Sequence, residues 1–554
     1  MMNAATAEKE KMFDRQDKSL VLAHILVAFA ALLLGAIAGL LQGLVRGGMI
    51  TLPAGIGYYQ LLTAHGVLMA LIFTTFFIIG FLYSGVSKTL GGKLLGPANR
   101  MGWIGFVLMT AGTVLGTIMI LLNEATVLYT FYAPLKASPF FYIALALVVI
   151  GSWISGFGIY YQYRYWRKTN KGKISPLFSF MAVATMILWQ ICTIGVAIEV
   201  VFQLIPWSFG WVERVNVMLS RTLFWYFGHP LVYFWLLPAY MCWYVVIPKV
   251  IGGKIFSDSM ARLSFGLFIL FSIPVGFHHQ LMEPGISSFW KYLQVVLTFM
   301  VIIPSLMTAF SMFASFELYG RSKGAKSLFG FFKHLPWKDV RFFAPFMGML
   351  AFIPGGAGGI INASNQMNAL IHNTLWVTGH FHLTVATTVA LTFFGIAYWL
   401  IPSVTGRKLT AKMHKWGIVQ TLLWCLGMLF MSGSMHTVGL FGSPRRTAYT
   451  TYGDHPDAIF WMPYHVAMAI GGTILFISVI ILTINIINML RAPKGYEEYP
   501  ICEEVASHEP TPRFLERWGV WVGIAVVLIV LAYAIPITDM ITSNHPGSPG
   551  YRVW

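Results

Sequence analysis

Long runs of apolar residues recur along the chain, and short polar stretches separate them. A helix needs about 20 mainly apolar residues to cross the hydrocarbon core of a membrane, and thirteen runs reach that length. They begin near Ser19, Gly57, Met101, Pro139, Phe178, Thr222, Leu263, Tyr292, Phe342, Leu370, Trp416, Met462 and Trp518. The tenth run extends from Leu370 to Pro402, so it is expected to tilt or to project from the membrane. The pattern predicts an all-α, polytopic membrane bundle of about thirteen helices.

Composition excludes a water-soluble protein. The chain has 554 residues, of which 57% are hydrophobic and 10% charged, whereas soluble domains carry about 25% charged residues. We expect residues 1–554 to form one integral membrane domain, with a cytoplasmic segment at 1–18 and an outer tail at 542–554. The four cysteines form no CxxC pair, which argues against a disulfide framework or a thiolate metal site.

Positive charge is distributed unequally between alternate connections. If the N-terminus is cytoplasmic, the inner segments carry 29 of the 37 Lys and Arg residues and the outer segments carry 8. The positive-inside rule favours this orientation. We therefore expect the N-terminus inside and, with an odd number of spans, Trp554 outside. Orientation in a lipid bilayer thus accounts for the net charge, and nucleic-acid binding is not expected.

Several histidines lie at one depth of the predicted bundle. At about 1.5 Å rise per residue, six of the fifteen histidines fall at a similar distance from the outer ends of their spans. They are His65, His229, His278, His279, His380 and His382. Ionisable side chains within a membrane are costly and indicate a functional site. Imidazole is the usual ligand of haem iron and suits copper, so we expect metal binding.

The spacing of His380 and His382 indicates two metal centres. At about 100° per residue, the two side chains leave their helix about 200° apart, so they cannot share one metal. Phe381 lies between them and has two interpretations, ordinary core packing or a spacer between two cofactors.

The remaining histidines suit a copper site. His278 and His279 are adjacent, and Pro274 can distort the backbone enough to turn both towards one ion. His229 is the third candidate ligand, and Tyr233, four residues further on, lies on the same helical face.

Four motifs carry a resemblance to a known family. They are Ala64-His65-Gly66, Gly228-His229-Pro230-Leu231-Val232-Tyr233, Gly276-Phe277-His278-His279 and Gly379-His380-Phe381-His382. In this order the chain resembles subunit I of the haem-copper oxygen reductases, and specifically their B-type (ba-type) cytochrome c oxidase branch. The resemblance extends over nearly the whole chain, including the thirteen spans.

The resemblance implies a role for each of these residues. His65 and His382 would be the axial ligands of a low-spin haem, expected to be of b-type, and His380 the proximal ligand of a high-spin haem of a- or o-type. One copper ion would be held by His229, His278 and His279. Tyr233 would be joined covalently to His229 and would supply an electron and a proton to dioxygen.

Other residues suit the edges of the haems. Arg445 and Arg446 follow Pro444 in a predicted outer connection, where they fit either a solvated loop or charge-assisted pairing with haem propionates. His372, about two helical turns beyond His380, is a further candidate there. The glycines at 355, 356, 358 and 359 are interpreted mainly as a surface for close helix packing.

A row of hydroxyl groups predicts a proton path from the inner side. Hydroxyls in membrane helices commonly form only interhelical hydrogen bonds, but these residues resemble the single proton pathway of the B-type branch. They are Tyr233, Tyr240, Tyr244, Ser305, Thr308 and Ser311. Leu231 stands where the A-type has a glutamate, so a second, carboxylate-based channel is not expected. No carboxylate is expected in the inner half of any span, which suggests that a partner chain lends the entrance.

The resemblance also implies partners, and it competes with two other interpretations. The chain has no CxxxC cluster, so a second subunit would carry a binuclear copper centre and pass on electrons from a c-type cytochrome. A small membrane subunit is a further possible partner, dioxygen would be the substrate, and a bacterial plasma membrane the location. A nitric oxide reductase would require glutamates near the three histidines. A non-redox transporter would favour helix interruptions and midplane charges.

Overall fold

The computed structural model describes residues 13–448, 452–543, 545 and 547–552. These residues form helices and no strand. Twelve helices have the length and hydropathy to cross a membrane, and two shorter ones, α7 and α10, lie between them. In order they are α1 Arg15–Arg46, α2 Tyr58–Thr89, α3 Gly96–Leu121, α4 Pro139–Thr169, α5 Leu177–Phe209, α6 Val217–Ile251, α7 Asp258–Ser272, α8 Ser288–Ser322, α9 Val340–Ala363, α10 Asn365–Ile371, α11 Leu375–Thr405, α12 Ala411–Leu440, α13 Pro456–Arg491 and α14 Trp518–Thr542. The first twelve residues of the predicted cytoplasmic segment, and Trp554, lie outside the described part.

The seventh predicted span is shorter than expected. Helix α7 has 15 residues and ends at Ser272, where Pro274 interrupts the backbone, and a 3₁₀ turn follows over Gly276–Gln280. A helix of this length cannot cross the hydrocarbon core alone, because the crossing needs about 20 residues. The all-helical bundle is confirmed with twelve spanning helices, and the count of about thirteen is not.

The tenth predicted span is divided. The run from Leu370 contains the end of α10 and the start of α11, separated by a connection in which Asn373 has φ +61°. Thr374 then caps α11 by accepting a hydrogen bond from the backbone nitrogen of Trp376. The excess length therefore becomes a bend rather than a longer tilted helix, and His372 lies in the connection instead of two turns along the same helix as His380.

The helices that carry histidines occupy the centre of the bundle. In α2 and α6, 89% of the most apolar window is buried, and in α11 83% is buried, whereas α3 and α14 have only 28% buried. Helices with such low burial expose apolar side chains to lipid, as expected where the surrounding medium is hydrocarbon. The less buried helices thus surround the histidine-bearing helices α2, α6 and α11.

Four π-helical segments interrupt the α-helices, and two of them follow a histidine of the centre. Val67–Phe73 begins two residues after His65, and Thr384–Val389 begins two residues after His382. In the second segment the hydroxyl of Thr387 donates to the carbonyl oxygen of His382 at 2.9 Å. Such bulges are frequent at functional sites because they shift side chains relative to the regular helix.

A buried ion network anchors α14 on the face opposite the histidines. Arg262 of α7 is 1% exposed and pairs with Asp258 at 2.6 Å and with Glu516 at 3.1 Å. Glu516 also pairs with Arg167 and accepts hydrogen bonds from Ser175. The network joins the turn before α14 to α4, to α7 and to the connection between α4 and α5.

We expect Glu516→Gln to destabilise the protein by about 3 kcal/mol or more, because removing one partner leaves Arg262 buried with incomplete compensation. The measurement is the thermal unfolding of the detergent-solubilised protein. Glu509→Gln, an exposed position in the same connection, is the control. Equal transition temperatures for the two variants would contradict a stabilising role for the network.

Candidate metal centres

Three histidines meet in the middle of the bundle. His229 comes from α6, and His278 and His279 come from the 3₁₀ turn after α7. Each offers one ligand nitrogen, and these nitrogens lie within 4.8 Å of one another. Nδ1 of His229 is 3.2 Å from Nε2 of His279. Within the described residues this is the single group of three or more metal-ligating side chains, and an all-imidazole set suits copper.

The turn that presents His278 and His279 is held firmly from the surrounding helices. The hydroxyl of Tyr533 accepts a hydrogen bond from the backbone nitrogen of Gly276 at 2.8 Å, and a Cβ at Gly276 would lie 2.6 Å from the carbonyl oxygen of Trp225. After Pro274 the backbone forms a helix end followed by a tight turn, and this turn carries both His278 and His279.

Neighbouring side chains orient the three imidazole rings. Nδ1 of His278 lies 3.0 Å from the hydroxyl of Thr298, which leaves its Nε2 for a metal. The indole of Trp225 stacks on His279 at 3.9 Å between centroids and 6° between planes. Nε2 of His229 is buried without a hydrogen-bond partner in the described part of the chain. The Tyr233 ring lies 5.1 Å from the His229 ring.

His65 and His382 face each other across the bundle. Their ring centroids are 6.2 Å apart and their planes differ by 9°. Each Nδ1 is 2.9 Å from a backbone carbonyl oxygen, that of Gly35 for His65 and that of Thr378 for His382. With both Nδ1 atoms engaged, Nε2 remains as the ligand atom. Two bonds of about 2 Å to one metal would place the centroids about 6 Å apart, so the pair fits axial ligation of one iron.

A mostly apolar cavity surrounds this histidine pair. It runs between α1, α2, α11, α12 and α13, and it is lined by His65, His382 and Phe381, with Arg445 and Arg446 at one end. An elongated apolar space with a charged end suits a macrocycle that carries carboxylates on one edge. The Phe381 ring also lies 5.7 Å from that of Trp235 on α6, so it fills the region between the cavity and α6.

His380 lies on a different side of α11 from His382. Its ring is parallel to that of Trp376, at 5.9 Å and 15°, and it faces α9, where a Cβ at Gly358 would lie 2.8 Å from its Nδ1. This buried Nδ1 faces the α9 backbone, where Gly355 is its hydrogen-bonding neighbour. The contact supports the interpretation of the α9 glycines as a close packing surface, since Gly355 likewise packs against Thr384.

Arg445 and Arg446 are directed into the protein rather than into solvent. Arg445 donates to the side chain of Asn373 at 3.0 Å, and Arg446 donates to the hydroxyl of Tyr132 at 3.1 Å. Nε of Arg445 and Nη2 of Arg446 are buried without partners among the described residues. Guanidinium donors directed towards a cavity fit carboxylate ligands such as haem propionates.

Arg445, Arg446 and Arg221 make the surroundings of Tyr132 strongly positive. Burial raises the pKa of Tyr132, but Arg446, Arg221 and Arg445 outweigh burial and bring that pKa down to about 8. Burial and the neighbouring Arg446 lower the pKa of Arg445 to about 10. Excess positive charge in a partly buried site favours binding of anionic groups.

His372 reaches the arginine cluster only indirectly. Its Nδ1 lies 3.1 Å from the side-chain oxygen of Asn368, and its Nε2 lies 3.6 Å from Glu283. Glu283 in turn pairs with Arg221, whose guanidinium lies over the Tyr132 ring. Hydrogen bonding from His372 and, despite burial, the charge of Arg221 lower the pKa of Glu283. His372 is thus linked to Arg446 only through Glu283, Arg221 and Tyr132.

Two members of the predicted hydroxyl row are joined by a hydrogen bond. The hydroxyl of Tyr244 donates to Thr308 at 3.1 Å and lies 3.4 Å from that of Ser264 on α7. The hydroxyl of Tyr240 is buried without a well-formed hydrogen bond among the described residues, and Ser305 is the hydroxyl beside it. Helices α6, α7 and α8 therefore share one polar seam below the three histidines.

The polar seam continues beyond Thr308, away from the three histidines. The expectation that no carboxylate lies in the inner half of a span is wrong. Ser311 points at Met260, to whose sulfur its hydroxyl donates at 2.9 Å. Glu317 on α8 is a buried carboxylate near the predicted inner end of a span, where none was expected. It accepts a hydrogen bond from the backbone nitrogen of Phe329 at 2.7 Å and pairs with Arg321.

Several residues that shape the site were missed by sequence reasoning. Gly35 and Thr378 act through backbone carbonyls, which leave no side-chain signal. Thr298 and Trp225 are ordinary apolar-helix residues until the turn brings histidines against them. Gly39 is the exception, because the sequence does carry a pattern that identifies it. It stands four residues after Gly35 on a helix facing His65, and small residues at that spacing indicate close helix packing.

Gly39→Ala is expected to displace His65, since a Cβ there would lie 2.6 Å from its Nδ1. We expect a weakened or shifted low-spin haem absorption, measured in a reduced-minus-oxidised spectrum of the purified protein. Gly43→Ala, on the same helix and cavity wall, is the matched control because nothing lies within 4 Å of its Cβ. A normal spectrum for Gly39→Ala would show that His65 need not hold this position.

Comparison with known proteins assigns the chain to a family. The profile of "Cytochrome C and Quinol oxidase polypeptide I" matches residues 19–474. The chain is 40% identical over 553 residues to "Cytochrome c oxidase subunit 1" of Thermus thermophilus, covering 97% of each protein. It is 26% identical over 461 residues to "Probable quinol oxidase subunit 1" of Staphylococcus epidermidis, covering 79% of this chain and 64% of that one.

A solved structure agrees with this assignment. The cryo-EM structure of a heme-copper terminal oxidase dimer aligns with a TM-score of 0.92 and 36% identity, over 97% of this chain and 95% of that one. The chain therefore belongs to the cytochrome c and quinol oxidase polypeptide I family. It is subunit I of a haem-copper terminal oxidase, a multi-pass membrane oxidoreductase of the respiratory chain.

Proposed function

We propose that this chain reduces dioxygen to water with electrons from a c-type cytochrome, within the B-type (ba-type) branch of its family, and couples the reaction to proton translocation. The observation that carries the proposal is the triad of His229, His278 and His279, with ligand nitrogens within 4.8 Å of one another. When bound, two haem irons and one copper would supply the electron storage and the dioxygen-binding centre.

We assign the six histidines to the three ligand sets predicted from the sequence. His65 and His382 would hold a low-spin haem of b-type, because their rings already stand at the separation that one shared iron requires. His380 would hold a high-spin haem of a- or o-type, and its ring would be oriented by the α9 backbone at Gly355 and Gly358. Arg445 and Arg446 would bind the propionates of these haems.

Tyr233 is the residue proposed to act in catalysis. Its ring lies 5.1 Å from that of His229, whose Nε2 has no hydrogen-bond partner among the described residues, which suits the covalent link to Tyr233 implied by the family. The tyrosine would hold a proton at its hydroxyl until that proton is needed, and the seam below it would replace the proton. Phe381 would separate the two haems as a spacer.

The proposed proton path uses hydroxyls of this chain. Its members, from the histidines towards the opposite side, are Tyr233, Tyr240, Ser305, Tyr244, Thr308 and Ser311. The bond from Tyr244 to Thr308 supports the path directly. Hydroxyls can donate and accept at once, so they can pass a proton without holding a charge in the membrane. The apolar Leu231, buried next to Pro230, supports the absence of a carboxylate channel beside the copper ligands.

The electron route requires a partner. The free cysteines Cys192, Cys242, Cys425 and Cys502 are separated in sequence and lack a CxxxC cluster. A subunit II with a binuclear copper centre would therefore receive electrons from the cytochrome, and a small membrane subunit would complete the assembly. We place the complex in a bacterial plasma membrane with the N-terminus cytoplasmic and the C-terminus outside, as one domain that crosses the bilayer thirteen times if α7 and its turn complete a span.

His278→Ala is expected to remove copper and abolish oxygen consumption while the low-spin haem spectrum stays unchanged, because His65 and His382 are not affected. Copper is measured by elemental analysis and turnover with an oxygen electrode, with exposed His334→Ala as the control. His65→Ala should show the reverse spectral pattern, loss of the low-spin haem. Normal oxygen consumption by His278→Ala would overturn the copper assignment.

Thr308→Val is expected to slow steady-state turnover about tenfold or more, because it removes the acceptor of the Tyr244 hydroxyl at unchanged size. Turnover and proton uptake are measured on the intact oxidase, and Thr298→Ser, which keeps a hydroxyl beside His278, serves as the control. Unchanged proton uptake in Thr308→Val would show that protons do not use this seam.

A further inference from the structure

Helix α14 lies beyond the part of the chain that the family profile matches. The profile covers residues 19–474, whereas α14 comprises Trp518–Thr542. This helix is among the least buried of the spanning helices, yet Ala532 and Tyr533 near its middle are 0% and 3% exposed. One short section of a peripheral helix therefore reaches the interior of the bundle, and its contacts there indicate what it does.

The turn that carries His278 and His279 needs hydrogen-bond partners from outside itself. Gly276–Gln280 is a single 3₁₀ turn with no side-chain cap. The first N–H groups of a helical segment have no partner within that segment, and an unpaired N–H group surrounded by hydrocarbon is costly. Other parts of the chain must therefore satisfy the N–H groups of Gly276 and Phe277.

Two consecutive residues of α14 satisfy these two N–H groups, one directly and one through α8. The backbone nitrogen of Gly276 donates to the hydroxyl of Tyr533 at 2.8 Å. The backbone nitrogen of Phe277 donates to the side-chain oxygen of Gln294 at 2.7 Å. The side-chain nitrogen of Gln294 in turn donates to the carbonyl oxygen of Ala532 at 3.1 Å. Gln294 on α8, which is fully buried, thus bridges the turn and α14.

The same helix is attached to α6, which carries the third histidine of the triad. The Tyr533 ring lies 5.1 Å from that of Tyr226, which precedes His229 by three residues. The side chain of Asn216, the N-cap residue of α6, donates to the carbonyl oxygen of Met540 at 2.8 Å. Helix α14 therefore contacts both elements that present the histidines, α6 and the 3₁₀ turn.

The Tyr533 hydroxyl fits closely against the turn. A Cβ at Gly276 would lie 2.5 Å from the hydroxyl oxygen, and the Tyr533 ring lies 5.3 Å from that of Phe277. A bound metal requires ligand distances within about 0.2 Å of their ideal values. Since His278 and His279 belong to the backbone of this turn, a shift of the turn moves both ligand atoms relative to α6.

We propose that Tyr533 and Gln294 are positioning residues for the copper site, and that α14 thereby sets how tightly this chain holds the ion. The inference rests on the proposed function, which assigns copper to the three histidines. Neither side chain touches the metal or a histidine ring, because both act through the backbone of the turn. A helix outside the family-matched segment thus supports the metal centre that the matched segment forms.

The test is copper retention by the intact, reduced oxidase with subunit II present. The protein is incubated with increasing concentrations of a copper(I) chelator, and its copper content is then measured by elemental analysis. Tyr533→Phe removes one hydroxyl, and Gln294→Leu removes both bonds of the bridge at similar size. Each variant is expected to lose half of its copper at a chelator concentration about tenfold lower than the wild type, as is usual when a supporting contact around a metal site is lost.

Two matched controls remove equivalent bonds elsewhere. Tyr142→Phe removes a buried hydroxyl that accepts from the backbone nitrogen of Ala137 at 3.2 Å. Gln420→Leu removes a buried side chain that joins α12 to α13 by donating to Ser478 at 3.0 Å. Both controls are expected to retain copper like the wild type, even where the temperature of thermal unfolding falls.

A spectroscopic signature separates positioning of the metal from general stability. The infrared band of carbon monoxide bound to copper, recorded at low temperature after photolysis from the haem, depends on the geometry of the copper ligands. We expect this band to shift and broaden in Tyr533→Phe and Gln294→Leu and to keep its wild-type position in both controls. The low-spin haem spectrum, expected to be unchanged in all four variants, verifies that each is assembled.

The outcomes distinguish this inference from the copper assignment itself. If His278→Ala loses copper while Tyr533→Phe and Gln294→Leu retain it like the wild type, with an unchanged carbon monoxide band, the copper site stands and the role of α14 is overturned. An effect of Gln294→Leu alone would overturn the role of Tyr533. If His278→Ala retains copper, the copper assignment fails and the inference fails with it.

Discussion

Imidazole rings buried in a hydrocarbon environment are the constraint on which this fold depends. A polar ring in lipid is costly unless each nitrogen has a partner. The structure satisfies one nitrogen of His65 and of His382 with a backbone carbonyl and one nitrogen of His278 with a threonine hydroxyl. The other nitrogen of each ring is then directed inward, where it can serve as a metal ligand. One hydrogen bond for each ring thus both compensates its burial and sets the direction of its ligand atom.

The same division explains why the central helices are so tightly packed. A carbonyl of another helix can reach an imidazole, as that of Gly35 reaches His65, only where the two helices approach closely, and glycines allow that approach. Gly35 and Gly39 on α1 face His65, and Gly358 on α9 faces His380. Helices that hold no histidine ring, such as α3 and α14, lie at the periphery and are largely exposed. The position of a helix in the bundle, central or peripheral, therefore follows from whether it holds a histidine ring in place.

Sequence reasoning recovered the helices and the histidine set because both depend on local patterns. Apolar runs give helices almost directly in a membrane, and the starts predicted at Pro139 and Trp518 are the observed ones. Breaks were harder. The left-handed residue Asn373 divides the tenth run, and the end of α7 at Ser272 shortens the seventh. Partners from distant segments, such as Thr298 and the carbonyl of Gly35, became visible only with the tertiary structure.

The π-helical segments after His65 and His382 have a consequence for how this chain can change. Each holds one residue more per turn than an α-helix, so deleting a single residue from Thr384–Val389 would regularise the hydrogen bonds locally. The remainder of α11 would then keep almost the same rotation relative to its histidines, whereas a deletion in the regular part of α11 would rotate everything beyond it by about 100° and turn buried faces towards lipid. The π-helical segments are therefore the positions at which these two helices can lose a residue with the least change to the rest of the bundle.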